Sequence, residues 1–169
     1  MKYLMLLCVL FGSAWVNAVV DGDAYFSVSA RVDDFGIYEM LSRSDTAFVA
    51  EATAGYSSVI HARLLEETKH VPLKKNIVFG FNYTIEDSTA DTQWVPVIIR
   101  IKHPPTQNYL GHFSDGFVKD SAAKIKADGF YHNSAFYVLS EPYEMVAGPW
   151  SISVIYRGES VVNLDFVLD

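Results

Sequence analysis

Two runs of strictly alternating apolar residues close the chain and constrain its fold more than any other feature. Between residues 150 and 156, Trp150, Ile152, Val154 and Tyr156 alternate with Ser151, Ser153 and Ile155; between 161 and 168, Val162, Leu164, Phe166 and Leu168 alternate with Val161, Asn163, Asp165 and Val167. A period of two is the mark of strands with one buried face, and two such runs joined by a short polar turn make an antiparallel hairpin. Matching the two apolar faces predicts Tyr156 opposite Val162 and Val154 opposite Leu164, with Gly158-Glu159-Ser160 as a three-residue loop. A slip of one residue would turn a whole apolar face to water, so the pattern specifies the register. Such a hairpin, with Trp150 as a core anchor, closes a β-sandwich.

The other end has a different logic. Lys2, the apolar run Leu4 to Phe11, and Val16-Asn17-Ala18 stand in the order of a secretory leader, predicting a signal peptide over 1–18 and a mature domain over 19–169. The apolar run is too short to span a bilayer. Cys8, inside it, follows Leu7 and lacks the local motif of a lipid anchor. Removing 1–18 takes away the only cysteine and leaves 12 basic against 20 acidic residues, a formal charge of −8. Disulfides then cannot hold the domain together, and a hydrophobic core has to; a chain of about 150 residues is long enough to build one. The acidic balance, without a basic stripe, argues against nucleic acid and against anionic membrane surfaces as partners. The expected location is periplasmic or secreted, without stable membrane insertion.

Between these ends the chain reads as further strands. Residues 24–39 predict a long or broken edge strand bent near Gly36, and 40–56 an irregular excursion or short strand. Residues 58–66 alternate, and Thr68 to Pro72 breaks the ladder because proline has no donor. Ile77, Phe79, Phe81, Tyr83 and Ile85 form one face of a strand, and Trp94 to His103 resumes strand character until Pro104-Pro105 is expected to stop it. Residues 106–133 read as the longest connection, with Val118, Ala122 and Ile125 at the spacing of a short helical stripe. A connection of that length in a small domain is usually functional or mobile. A strand over 130–139 leads into the closing hairpin. With about seven strands, no repeat and no linker, the expected fold is all-β, a single immunoglobulin-like antiparallel β-sandwich.

Residue chemistry points to no reaction centre. His61, His70, His103, His112 and His132 are isolated, without the close ligand pairs of a zinc site. His103, His112 and Asp115 are read as solvated loop residues rather than metal ligands, and Asp87 with Asp91 as a solvated turn rather than a calcium loop. No G-x-S-x-G elbow occurs, and the mature chain has no thiol. Glu141 and Glu144 are read as part of a turn, since nothing else suggests a sugar cleft between them. Glycines form no phosphate cradle, and no cofactor is expected. Asn82-Tyr83-Thr84 matches a glycosylation sequon, but within a strand.

Five motifs occur in one order: F-G-I-Y-E at 35–39, T-K-H-V-P at 68–72, F-G-F-N-Y at 79–83, I-x-H-P-P at 101–105 and E-M-V-A-G-P-W at 144–150. Together they resemble a bacterial family of exported single-domain β-sandwich proteins of unknown function. The resemblance implies the fold and an exported setting, and brings no catalytic residues; the chain departs from it at Ser134 to Tyr137, where a tryptophan is expected. The function expected is a non-catalytic module that binds a protein or another envelope component through an edge strand or the long connection. Tyr109, His112 and Phe113 are its candidate binding residues. A carbohydrate-binding module, suggested by the aromatics near that connection, is the alternative, and a secreted hydrolase is third. Fold alone does not choose among them.

Overall fold

Val95, Val97, Ile99 and Ile101 point inward and are almost fully buried, while Pro96, Ile98, Arg100 and Lys102 between them are exposed. The same alternation builds a sheet of nine strands in the computed structural model, which describes residues 28–50 and 52–169, without the side chains of 45–47. The expected signal peptide, 1–18, lies outside the described residues. The strands are β1 (Val28–Phe48), β2 (Tyr56–Glu66), β3 (His70–Val71), β4 (Val78–Asp87), β5 (Trp94–Gln107), β6 (Phe113–Ile125), β7 (Tyr131–Val138), β8 (Gly148–Tyr156) and β9 (Glu159–Leu168), with a 3-10 turn at Pro142–Glu144. Their order is β2-β1-β4-β7-β6-β5-β8-β9-β3, antiparallel except where β3 lies parallel to β9.

This sheet curls on itself. β6 and β7 pair only at Lys124↔His132 and Ile125↔Tyr131, so β2-β1-β4-β7 forms one layer and β6-β5-β8-β9 the other. Rings from the two layers meet in the middle: Phe79 of β4 lies 5.7 Å from Trp150 and 5.3 Å from Phe166, and Tyr137 of β7 lies 5.0 Å from Trp150. Trp150 is fully buried and donates its Nε1 hydrogen to the Val146 carbonyl at 3.2 Å. Gly80, at φ 143°, lets β7 approach; a Cβ there would sit 2.1 Å from the Ala135 carbonyl oxygen.

The closing hairpin forms with its faces as expected but with a different register. Val154 pairs with Val162, Ile152 with Leu164 and Trp150 with Phe166. Arg157 and Gly158 both take positive φ, 51° and 85°, making a two-residue turn whose twist matches the strands. Ile155 then pairs with Ser160, and a bulge at Val161 restores the inward phase. One extra residue in the ladder thus does what the three-residue loop was expected to do.

Three further expectations are corrected. β1 is no edge strand: its first half pairs with β4 and its second half, bulged three times, pairs with β2 and runs into the stretch expected to be an irregular excursion or a short strand. Pro104 and Pro105 do not end β5; they occupy a bulge between Lys102↔Gly116 and Thr106↔Ser114, where no ladder donor is required. Residues 106–133 are no long connection: the end of β5, all of β6 and the start of β7 fill most of them, and Val118 and Ala122 of the supposed helical stripe are exposed strand residues. Pairing along β5 from Trp94↔Lys124 to Gln107↔Phe113 overrides the local helix propensity of the Ala- and Lys-containing stretch.

Candidate functional site

The brief contact of β6 with β7 leaves a seam between the layers. At its closed end Asn133 Nδ2 donates to the Ala122 carbonyl (2.9 Å) and to Ser121 Oγ (3.0 Å). Beyond that the strands splay, and the β1–β2 ribbon covers the gap, held by the Tyr38 ring 4.5 Å from Phe136. Under the ribbon lies a recess of about 50 Å³ whose walls include Arg43, Tyr56, Ser57, Lys119, Tyr137 and Glu144. Lys119 Nζ donates to Ser57 Oγ at 3.3 Å, and burial pulls its pKa below the ordinary lysine value. Arg43 spans from Ser58 Oγ (2.9 Å) to the face of Tyr56, 5.2 Å from the ring centre. Among the described residues neither cation takes part in an ion pair.

Glu144 stands in the turn where it was expected, and is buried on the wall of this recess. Its carboxylate accepts from Tyr137 Oη (2.5 Å), Ser140 N (2.9 Å) and Glu141 N (2.8 Å), so it organises the turn before β8. Burial pushes the Glu144 carboxyl up from its ordinary value against those hydrogen bonds, and burial with the adjacent Glu144 charge pushes the Tyr137 phenol up. His103 is no solvated loop residue: it is buried, bonded to Thr53 Oγ1 (2.9 Å) and the Pro104 carbonyl (2.9 Å), and its ring lies 4.8 Å from Trp150. Burial lowers its pKa. Asp87 is a second correction. Its buried carboxylate accepts from Tyr156 Oη (2.7 Å) and Arg157 (2.8 Å); burial raises its pKa, but these bonds and those from Thr89 outweigh burial and hold it below the ordinary value. Among the described residues no group of three His, Cys, Asp or Glu is placed to hold a metal ion.

Of the residues expected to bind, Tyr109, His112 and Phe113 all lie at the β5–β6 hairpin tip. Tyr109 is half-buried: its ring packs on Gly55, its backbone N–H donates to the Thr53 carbonyl (3.0 Å), and Phe48 approaches edge-on at 6.1 Å. It joins the β5–β6 tip to the β1–β2 tip. His112 is exposed, and Phe113 (77%), Phe48 (74%) and Leu110 (58%) are large apolar side chains left open to water. A groove alongside, lined by Phe48, Val49, Ile98 and Val118, also has Ser57 and Lys119 on its wall. Sequence reasoning missed Lys119 and Arg43, because their placement depends on where β6 and β7 part. Asn82 is half-buried and bonded to Asp34 (2.7 Å) and Ser134 (2.5 Å), so the sequon asparagine serves the outer face of the β1–β4–β7 layer.

The family comparison covers nearly all of these elements: residues 27–168 match the model of a domain of unknown function, DUF3859. The chain belongs to the DUF3859 family. The fold of this DUF3859 domain is similar to that of an immunoglobulin-like protein, PA1606, from Pseudomonas aeruginosa, with a TM-score of 0.57 at 19% identity over 83% of this chain and 97% of that one. A weaker match is the alkylpurine DNA glycosylase AlkC of Pseudomonas fluorescens, with a TM-score of 0.40 at 20% identity over 59% of this chain and 27% of that one. No curated protein matches the sequence. Among the described residues no helix is long and apolar enough to cross a membrane.

Proposed function

We propose that this DUF3859 domain is an exported, non-catalytic binding module that holds a protein partner on its joined hairpin tips. One observation carries the reading: Phe48, Leu110 and Phe113 stand open to water on two hairpins locked together through Tyr109. Water-exposed large apolar groups brought together on a rigid support mark interaction surfaces. The buried ionisable groups support a non-catalytic role, since Glu144, Asp87 and His103 spend their hydrogen bonds on the fold. Export rests on the order of charge, apolar run and small residues over 1–18.

The test places a photo-crosslinking amino acid at position 113 in the protein expressed in its own cell envelope, with position 167, on β9, as control. The expected result is a discrete adduct from position 113 alone, lost when Leu110 and Phe48 are changed to Ser. Equal adducts from both positions, or an adduct unaffected by those substitutions, would refute the tip as the interface. N-terminal sequencing of the exported material is expected to begin near Val19.

A further inference from the structure

The recess and the groove beside the hairpin tips share two wall residues, Ser57 and Lys119, and their chemistry differs sharply. The recess carries two cations, Arg43 on the ribbon and Lys119 on β6; Lys119 donates to the Ser57 hydroxyl and Arg43 to that of Ser58. Glu144, held by donors from Tyr137, Ser140 and Glu141, offsets one of these charges, so the recess keeps a formal charge of one positive. The groove, about 540 Å³, is bounded by Phe48, Val49, Ile98 and Val118, and its one acid is Asp120.

We propose that this composite site binds an aliphatic carboxylate, its head group between Lys119 and Arg43 and its chain along Phe48, Ile98 and Val118. Charge complementarity selects this occupant. A half-buried ammonium without a counter-ion is costly, and a bound carboxylate supplies one with charge-assisted hydrogen bonds. The recess has room for a group the size of a few water molecules, at roughly 15 Å³ each, which suits a carboxylate and excludes a bulky head. Asp120 disfavours the reverse orientation, with the anion in the groove. The apolar walls contribute with chain length, at about 0.8 kcal/mol per buried methylene, so a short acid gains little. The site shares Phe48 with the hairpin tips, but its charged recess lies apart from them, so it does not rest on the protein-binding reading.

The test is a titration of the folded mature protein with sodium octanoate, followed by amide and methyl NMR shifts, with butyrate and octan-1-ol as controls. Octanoate is expected to saturate shifts at Lys119, Val118 and Phe48, with butyrate and octanol each at least about tenfold weaker. Lys119→Met is expected to weaken octanoate about tenfold or more and leave octanol unchanged; should that variant not fold, Arg43→Gln serves, since Arg43 is exposed. Val118→Asp is expected to abolish octanoate binding. Octanol binding as tightly as octanoate, or octanoate affinity unchanged by either cation substitution, would overturn the proposal. So would shifts that never saturate.

Discussion

Replacing Trp150 by Ala tests whether the two layers meet where the rings place them. Trp150 is fully buried, and its indole touches Phe79, Tyr137 and His103, residues from both layers. A buried aromatic of this kind removes about 150 to 250 Å² from water, worth roughly 4 to 6 kcal/mol at 25 cal/mol/Å² as an upper bound. Partial collapse of the cavity returns some of that, and the Val146 carbonyl loses its donor, at a cost of about 1 kcal/mol. The expected loss is therefore about 3 to 5 kcal/mol. For a domain of this size that corresponds to a fall in Tm of about 6 to 20 °C. Urea unfolding followed by far-UV circular dichroism should show a lower midpoint with unchanged slope, the sign that stability rather than compactness has changed. Trp150→Phe, which keeps a ring against Phe79, should cost less than half as much. A loss below about 1 kcal/mol for the alanine variant would refute the packing of β8 against β4 and β7.

Asp87→Asn is expected to cost about 1 to 3 kcal/mol at pH 7, measured by urea unfolding, because the buried carboxylate holds Tyr156 and Arg157. The folded pKa of Asp87 lies below its unfolded value, so its contribution is present above the ordinary carboxylate range and lost as pH falls through the depressed folded value. The gap between wild type and variant should therefore narrow as pH falls below the ordinary carboxylate range, and a gap that widens on acidification would contradict the assignment. Gly80→Ala should destabilise by roughly 1 to 3 kcal/mol in the same assay, since φ 143° is strained for alanine and the new Cβ meets the β7 backbone; a neutral result would mean that β4 and β7 are farther apart than described.

Alternation by itself determined which residues of the strands turn inward: Phe79, Phe81, Tyr83 and Ile85, the Val95 to Ile101 set, and Trp150, Ile152 and Val154 are all buried. It did so because strand periodicity is a local property, readable without knowing the neighbouring strand. Register was less legible, since a two-residue turn with a bulge and a three-residue loop both keep the apolar faces aligned, and the positive φ at Arg157 shows only in the folded backbone. β6 was unreadable as a strand because its Ala, Lys and Asp residues carry helix-compatible spacing; only the ladder with β5 decides it. The same holds for the charges. Asp87 looks solvated in sequence and Glu144 reads only as part of a turn; both become buried where donors, Tyr156 sixty-nine residues from Asp87 and Tyr137 seven from Glu144, converge on them. Tyr109, His112 and Phe113 lie near one another by sequence proximity alone, yet Phe48 joins them through a contact with Tyr109 that no local pattern announces. Lys119 and Arg43 face one recess only because β6 and β7 separate after two residue pairs, leaving a seam for the ribbon to cover. Local sequence determined the faces of the strands, and the parting of two strands decided where the charges meet.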